Sequence, residues 1–139
     1  MLVASLAALV APAASADPVA DRREEMKEFR DDMRAMKAAL DRGNGLDATA
    51  ELATDMAEDA FEIRDWFAKR TIGPRSRALP AVWDQPAEFD SRIQELSRLA
   101  GLLAAAAGQG DLDAATAAFA ALGREGCTGC HDRFRRPMD

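Results

Sequence analysis

The run Cys127-Thr128-Gly129-Cys130-His131 constrains this chain more than any other feature of its sequence. If the run is helical, the two thiols are three residues apart and the imidazole follows Cys127 by four, so all three project from one face. Two thiols and an imidazole in this order form the attachment signature of c-type haem. Each thiol bonds one vinyl group, and the imidazole ligates the iron. The motif predicts one covalent haem, with Cys127 and Cys130 as attachment residues and His131 as a ligand of the metal.

Other uses of a C-x-x-C motif fit this chain less well. A structural zinc site needs four ligands, and the chain holds only two cysteines and one histidine. A thioredoxin-like redox motif belongs beside a βαβ unit, and the sequence has no alternating strand pattern. A disulfide across two intervening residues closes a loop too small to stabilise much. Haem attachment is the interpretation that accounts for the histidine as well as the thiols.

The first sixteen residues read as a secretory signal peptide. They are nearly all Ala, Val, Leu and Ser and end in Ala14-Ser15-Ala16, an A-x-A cleavage site. The positively charged start of such a peptide is missing, and the alternative is an apolar helix packed on the domain. The expected organisation is a signal peptide over residues 1–16 and one domain over residues 17–139, exported to the periplasm.

Charge and composition narrow the classes of function. The net charge of −6 and the lack of a basic stripe interleaved with aromatic residues argue against nucleic acid as a partner. No second apolar run is long enough to cross a bilayer. No activated nucleophile, carboxylate pair or second histidine is present, so we expect the protein not to be an enzyme.

Four amphipathic helices are predicted, and together they give an all-α fold: an antiparallel, up-down-up-down four-helix bundle with the haem near the C-terminal helix. Asp17 and Pro18 are typical of a helix start, as are Asp84 and Pro86. Gly43 and Gly45 end the first helix, and Gly108 and Gly110 end the third. The helices are expected at about 18–41, 47–67, 84–108 and 111–137, with a loop over about 69–82.

Arg22 lies one turn before Met26 on the apolar face of the first helix, where a cation needs an anionic partner. The haem propionates supply one, and the alternative is that the side chain snorkels to solvent. The basic residues of the loop are open to two interpretations as well: they line a haem edge or they lie in water.

The chain resembles class II cytochromes c, the cytochrome c′ family with its low-spin, methionine-ligated relatives. The resemblance covers essentially the whole predicted domain. Four stretches carry it: an Arg-x-x-x-Met pattern in the first helix, the end of the second helix, the entry to the third, and the haem motif close to the C-terminus. They are Arg22–Met26, Trp66–Thr71, Pro80–Phe89 and Cys127–Arg135.

The resemblance implies roles for particular residues. Cys127 and Cys130 would hold the haem through thioethers and His131 would be the proximal ligand. Arg22 would lie near a propionate and Thr71 near the haem edge. The family often has Gln at the position after Arg22, where this chain has Arg23. No haem contact is therefore carried over to Arg23. Arg135 would lie beside the proximal imidazole. A homodimer is implied as a further partner, although the acidic second helix does not suit a strongly apolar interface.

Met26 leaves two functions open. In the methionine-ligated relatives this position supplies a thioether to the iron, which raises the reduction potential and suits an electron carrier that serves redox partner proteins. In high-spin members the residue covers a vacant sixth site that admits NO or CO. The first function, electron transfer with Met26 as a metal ligand, is the expectation, and a gas-binding or gas-sequestering protein is the alternative.

Overall fold

The structure, a computed structural model, describes residues 17–137, so the predicted signal peptide lies outside the described residues. Four rods of helix form a bundle, and the predicted fold class is confirmed. A 3-10 turn (Ala60–Glu62) and a π-helical segment (Leu122–Thr128) interrupt the second and fourth rods. The α-helices are α1 (Pro18–Asp41), α2 (Leu46–Asp59), α3 (Ile63–Trp66), α4 (Ala81–Asp84), α5 (Pro86–Gly108), α6 (Leu112–Ala121) and α7 (Gly129–Phe134).

The ends of α1 and the start of α6 follow local sequence chemistry. Asp17 Oδ1 accepts hydrogen bonds from the backbone amides of Val19 (3.1 Å) and Ala20 (3.2 Å), and Pro18 needs no such partner. After α1 the chain turns through Gly43 (φ 67°) and Gly45 (φ 77°), in the left-handed region that favours glycine. Asp111 Oδ1 caps α6 through the amide of Ala114 at 2.9 Å.

The predicted cap of the third rod at Asp84 is wrong. Gln85 takes the N-cap position, and Asp84 ends the separate one-turn helix α4. The cause is Pro86, because a proline pushes the residue before it out of the α-helical region, and Gln85 has φ −128° and ψ 60°. The carboxylate of Asp84 instead accepts a 2.6 Å hydrogen bond from Arg70.

Two glycines that lie close to side chains of the facing rod fix the register of α1 against the fourth rod. A Cβ built on Gly43, after the end of α1, would lie 3.6 Å from Leu112 Cδ2 at the start of α6. A Cβ built on Gly123 would lie 3.9 Å from Met33 Cε. Because positions on α1 decrease as positions on the fourth rod increase, the two rods run antiparallel, as the sequence predicts.

The core is closed along α5 and only partly closed along α1. Five apolar residues that repeat every four and three positions along α5 are all buried: Phe89, Ile93, Leu96, Ala100 and Leu103. On α1 the apolar stripe is buried from Met36 onwards, whereas its earlier members, Met26, Phe29 and Met33, stay half-buried. Within residues 17–137 no helix is long and apolar enough to cross a membrane. The earlier half of α1 therefore leaves apolar side chains incompletely covered.

Candidate haem-binding site

The haem motif lies across the junction between the π-helical segment and α7. Cys127 belongs to the π-helical segment, and Cys130 and His131 belong to α7. A π-helical turn holds more residues than an α-turn and often occurs at functional sites. Gly126 is buried here, and a Cβ on it would lie 3.3 Å from Leu96 Cδ1 of α5. The absence of a side chain at Gly126 lets the segment lie close against α5.

Burial keeps the three motif side chains uncharged. Both cysteines are free thiols and half-buried. Burial raises the pKa of Cys127, and it raises the pKa of Cys130 to about 11. Burial, with a contribution from the charge of Arg135, lowers the pKa of His131 to about 4. At neutral pH the imidazole of His131 is neutral, which is the form that ligates a metal.

Met26 lies level with the motif on the opposite rod. Met33 is seven residues along α1 from Met26, which is roughly 10 Å at 1.5 Å per residue. The fourth rod is π-helical up to Thr128 and advances less per residue, so the same distance from Gly123 reaches Cys130 and His131. Met26 therefore lies at the height of Cys130 and His131. Its half-buried side chain packs against the edge of the core.

These residues fit a covalently attached haem. Two free thiols and a neutral imidazole supply the required donors, and a methionine lies level with them on the facing rod. The half-buried Met26 and Phe29 of α1 lie toward this same end of the bundle, where a haem face would cover them. Among residues 17–137 no group of three or more His, Cys, Asp or Glu side chains forms an alternative metal site.

Arg22 is buried, with 4% of its surface exposed. Its side chain therefore does not snorkel to solvent. It donates hydrogen bonds to Thr71 Oγ1 (2.5 Å), the carbonyl of Thr71 (2.7 Å) and Ser76 Oγ (2.6 Å). The guanidinium carbon also lies 4.8 Å from the ring centroid of Phe67 and 5.9 Å from that of Trp83. Arg22 and Thr71, predicted to lie near the haem, are thus brought together, and Arg22 ties the loop to α1.

The sequence profile of the family described as Cytochrome C′ matches residues 17–135. The chain belongs to the cytochrome c′ family. Cytochrome c-554 of Cereibacter sphaeroides is 39% identical over 61 residues, which are 44% of this chain and 44% of that protein. Cytochrome c′ of Alcaligenes xylosoxydans xylosoxydans is 39% identical over 70 residues, 50% of this chain and 53% of that protein. The chain thus matches about half the length of these curated relatives.

Solved structures show the same fold at lower identity. Cytochrome c′ of Thermochromatium tepidum superposes with a TM-score of 0.74 at 24% identity, over 86% of this chain and 95% of that one. The ferric protein of Alcaligenes xylosoxidans gives 0.77 at 24% identity, over 88% and 95%. The family carries one covalent haem c, and Cys127 and Cys130 fit its attachment motif. Its members bind NO or CO, often form dimers, and are periplasmic.

Two residues close to the site were missed by the sequence analysis. Arg92 of α5 has Nη1 3.3 Å from the place of a Cβ on Gly129, between the two cysteines, and its charge opposes the rise in the Cys130 pKa. Ser76 is a buried loop residue that accepts from Arg22. Neither has a sequence signal, since Arg92 lies off the apolar stripe and Ser76 lies in irregular chain. Of the loop cations, Arg70 and Arg75 form ion pairs with Asp84 and Asp17.

Proposed function

We propose that the protein is a periplasmic mono-haem cytochrome that transfers electrons, and that it is a carrier rather than an enzyme. His131 and Met26 would both ligate the haem iron. The observation that carries this proposal is the register of α1 against the fourth rod, by which Met26 lies near the height of His131. A thioether is thereby available on a rod next to the one that bears the imidazole.

Each residue has a defined task in such a carrier. The haem supplies a one-electron couple. Thioether bonds from Cys127 and Cys130 would hold it to the fourth rod, and the neutral imidazole of His131 is available as a ligand without losing a proton. A methionine ligand would raise the reduction potential. The half-buried Phe29 of α1 would contribute apolar cover that keeps water away.

The second candidate is a protein that binds or sequesters NO or CO at an open sixth position. Two observations favour it: the family binds these gases, and a ferrous variant of the cytochrome c′ of Alcaligenes xylosoxidans is described with bound NO. In that case the thioether of Met26 packs over the distal face without bonding to iron. Met26 is half-buried and unbranched, so its side chain suits either task.

Replacing Met26 separates the two functions. We expect Met26→Ala to convert a low-spin haem to high spin, to lower the reduction potential and to let CO bind to the reduced protein. These changes follow from loss of a ligand, and visible spectroscopy and a redox titration measure them. Some loss of stability, about 2–5 kcal/mol for a buried large-to-small change, is expected under both functions and does not discriminate.

Met33→Ala is the matched control, because Met33 is half-buried on the same stripe two turns away and contacts the rod at Gly123. It should leave the spectrum and the CO reaction unchanged. A wild-type protein that is already high spin, with Met26→Ala only speeding CO binding, contradicts ligation and supports the gas-binding function.

A further inference from the structure

The arginine-rich end of the bundle is built from two separate segments. The loop 67–80 contains four basic residues and no acidic one, and residues 133–137 contain three arginines and no acidic one. This concentration contrasts with the net charge of −6 for the chain as a whole. The basic side chains of this end are Lys69, Arg70, Arg75, Arg77, Arg133, Arg135 and Arg136.

Backbone hydrogen bonds join these segments into one surface. The amide of Leu79 donates to the carbonyl of Phe134 at 2.9 Å. The amide of Arg136 donates to the carbonyl of Arg77 at 2.8 Å. Arg136 Nη2 adds a 2.6 Å bond to the carbonyl of Ser76. The positive charges are therefore held on a fixed framework. Arg22 anchors this framework from beneath through Thr71 and Ser76.

The same end exposes apolar side chains of the type found at protein interfaces. Ile72 is 51% exposed, one of few large apolar side chains so exposed among the described residues. Trp83 is half-buried, and the guanidinium carbon of Arg70 lies 5.7 Å from its ring centroid. Aromatic residues and arginine are enriched at interfaces, and tryptophan and arginine supply many binding hot spots.

This end also lies next to the haem motif. Phe134 follows His131 by three residues on α7, and the amide of Arg135 donates to the carbonyl of His131 at 3.0 Å. The ring of Phe134 contacts that of Phe89 at a centroid distance of 5.1 Å. A protein bound at the arginine-rich end would therefore sit close to the group that exchanges the electron.

We propose that the arginine-rich end is the docking surface for a redox partner protein with an acidic face, centred on Trp83, Arg70 and Ile72. This inference rests on the proposed electron-transfer function and names the surface that serves it. An acidic partner is the occupant because the seven basic side chains of this end outnumber the three carboxylates paired with them within residues 17–137, Asp84, Asp17 and Glu88. Such charge complementarity orients the encounter and accelerates association.

The test compares two double charge reversals in the haem-loaded protein. Lys69→Glu with Arg70→Glu alters the docking surface. Arg34→Glu with Lys37→Glu changes the net charge equally, at exposed positions on the distant half of α1. The probe is flavodoxin hydroquinone, a small acidic flavoprotein, and stopped-flow absorbance follows haem reduction. We expect the first variant to lose at least ~tenfold in second-order rate at low salt, and the second to stay near wild type. The ratio of rates should approach one as ionic strength rises.

A neutral quinol serves as a second reductant that needs no docking. If the quinol reduces the haem but the two variants react equally with the flavoprotein, the docking surface is wrong and the electron-transfer function stands. If neither reductant transfers electrons to the wild type, the proposed function itself fails. Sedimentation with vesicles of phosphatidylcholine and phosphatidylglycerol provides the remaining arm. Vesicle binding lost in the first variant, with unchanged flavoprotein rates, overturns the proposal in favour of an anionic lipid surface.

Discussion

Arg22 carries a buried positive charge that meets no carboxylate within ion-pair distance among residues 17–137. Desolvation lowers the pKa of its guanidinium from the ordinary value, although the side chain remains charged. Its partners are the neutral oxygens of Thr71 and Ser76 and the faces of Phe67 and Trp83. A buried charge is tolerated only where hydrogen bonds replace its hydration, so these contacts are needed for stability.

Replacing Arg22 should therefore destabilise the fold. Arg22→Gln leaves the loop oxygens without donors, and we expect the free energy of unfolding to fall by about 1–3 kcal/mol. Chemical denaturation of the haem-loaded protein measures it. Arg23→Gln is the control, because Arg23 is the adjacent residue and is exposed. Its effect should stay within about 0.5 kcal/mol. Equal effects of the two substitutions would show that Arg22 does not anchor the loop.

Individual residues differ in how far the sequence reveals them. Cys127, Cys130 and His131 are identifiable because the chemistry of attachment requires them within five consecutive positions. Arg22 is conspicuous as a cation on an apolar stripe, but its partners are 49 and 54 residues away in irregular chain. Periodicity says nothing about which loop atoms reach a buried side chain. The propionate contact of Arg22 and the position of Thr71 at a haem edge remain predictions.

At the scale of the elements, the four rods follow from apolar spacing, and the interruptions within them do not. The fourth rod changes from α-helix to π-helix at Leu122, where the sequence spacing predicts one continuous helix. Within this π-helical segment Gly126 lies close against Leu96 and Leu99 of α5. Such a contact depends on another rod and leaves no periodic signal in its own segment.

A pair of glycine substitutions tests this packing. A Cβ at Gly126 would lie 3.2 Å from Leu122 Cδ1 and 3.3 Å from Leu96 Cδ1, whereas a Cβ at Gly123 meets only Met33 Cε at 3.9 Å. Both changes to Ala gain roughly 1 kcal/mol of helix propensity. Overpacking costs ~1–3 kcal/mol, so Gly126→Ala should be less stable than Gly123→Ala by about that amount in thermal unfolding. Two variants of equal stability would mean that the π-helical segment has room to move.

At the scale of the whole molecule, charge is segregated between two regions. The arginine-rich end is positive. A second region, an acidic seam between the antiparallel helices α1 and α2, is negative. Burial, and after it the charge of the neighbouring carboxylates, raises the pKa of Glu25 and of Asp32. The seam consists of Glu25, Glu28 and Asp32 of α1 with Asp55, Asp59 and Glu62 of the second rod. The sequence shows the acidic face of the second helix, but the alignment of that face with carboxylates of α1 requires the packed bundle.

The acidic seam should cost stability at neutral pH. The pKa of Asp32 is raised above its ordinary value of 3.8, so its charged form destabilises the folded state. Asp32→Asn should raise the melting temperature at pH 7, and the gain should shrink as pH falls toward 3.8 and wild-type Asp32 takes up a proton. The titration of His131 is common to both proteins and cancels in the difference.

Asp31→Asn is the control for the acidic seam, because Asp31 is exposed and pairs with Arg34 at 3.3 Å. It should give a smaller gain in melting temperature than Asp32→Asn, because the loss of the Arg34 ion pair offsets the relief of its repulsion with Asp32. High salt should also reduce the gain from Asp32→Asn by screening the like charges. A gain that is independent of both pH and salt would mean that the charge of Asp32 is not its cause.

The most direct test of the account is the visible spectrum of the reduced, haem-loaded protein before and after exposure to CO. Ligation by both His131 and Met26 predicts sharp α and β bands of a six-coordinate, low-spin haem that CO leaves unchanged. A broad high-spin spectrum that shifts on addition of CO would contradict the account, because Met26 would then lie beside an iron it does not bind.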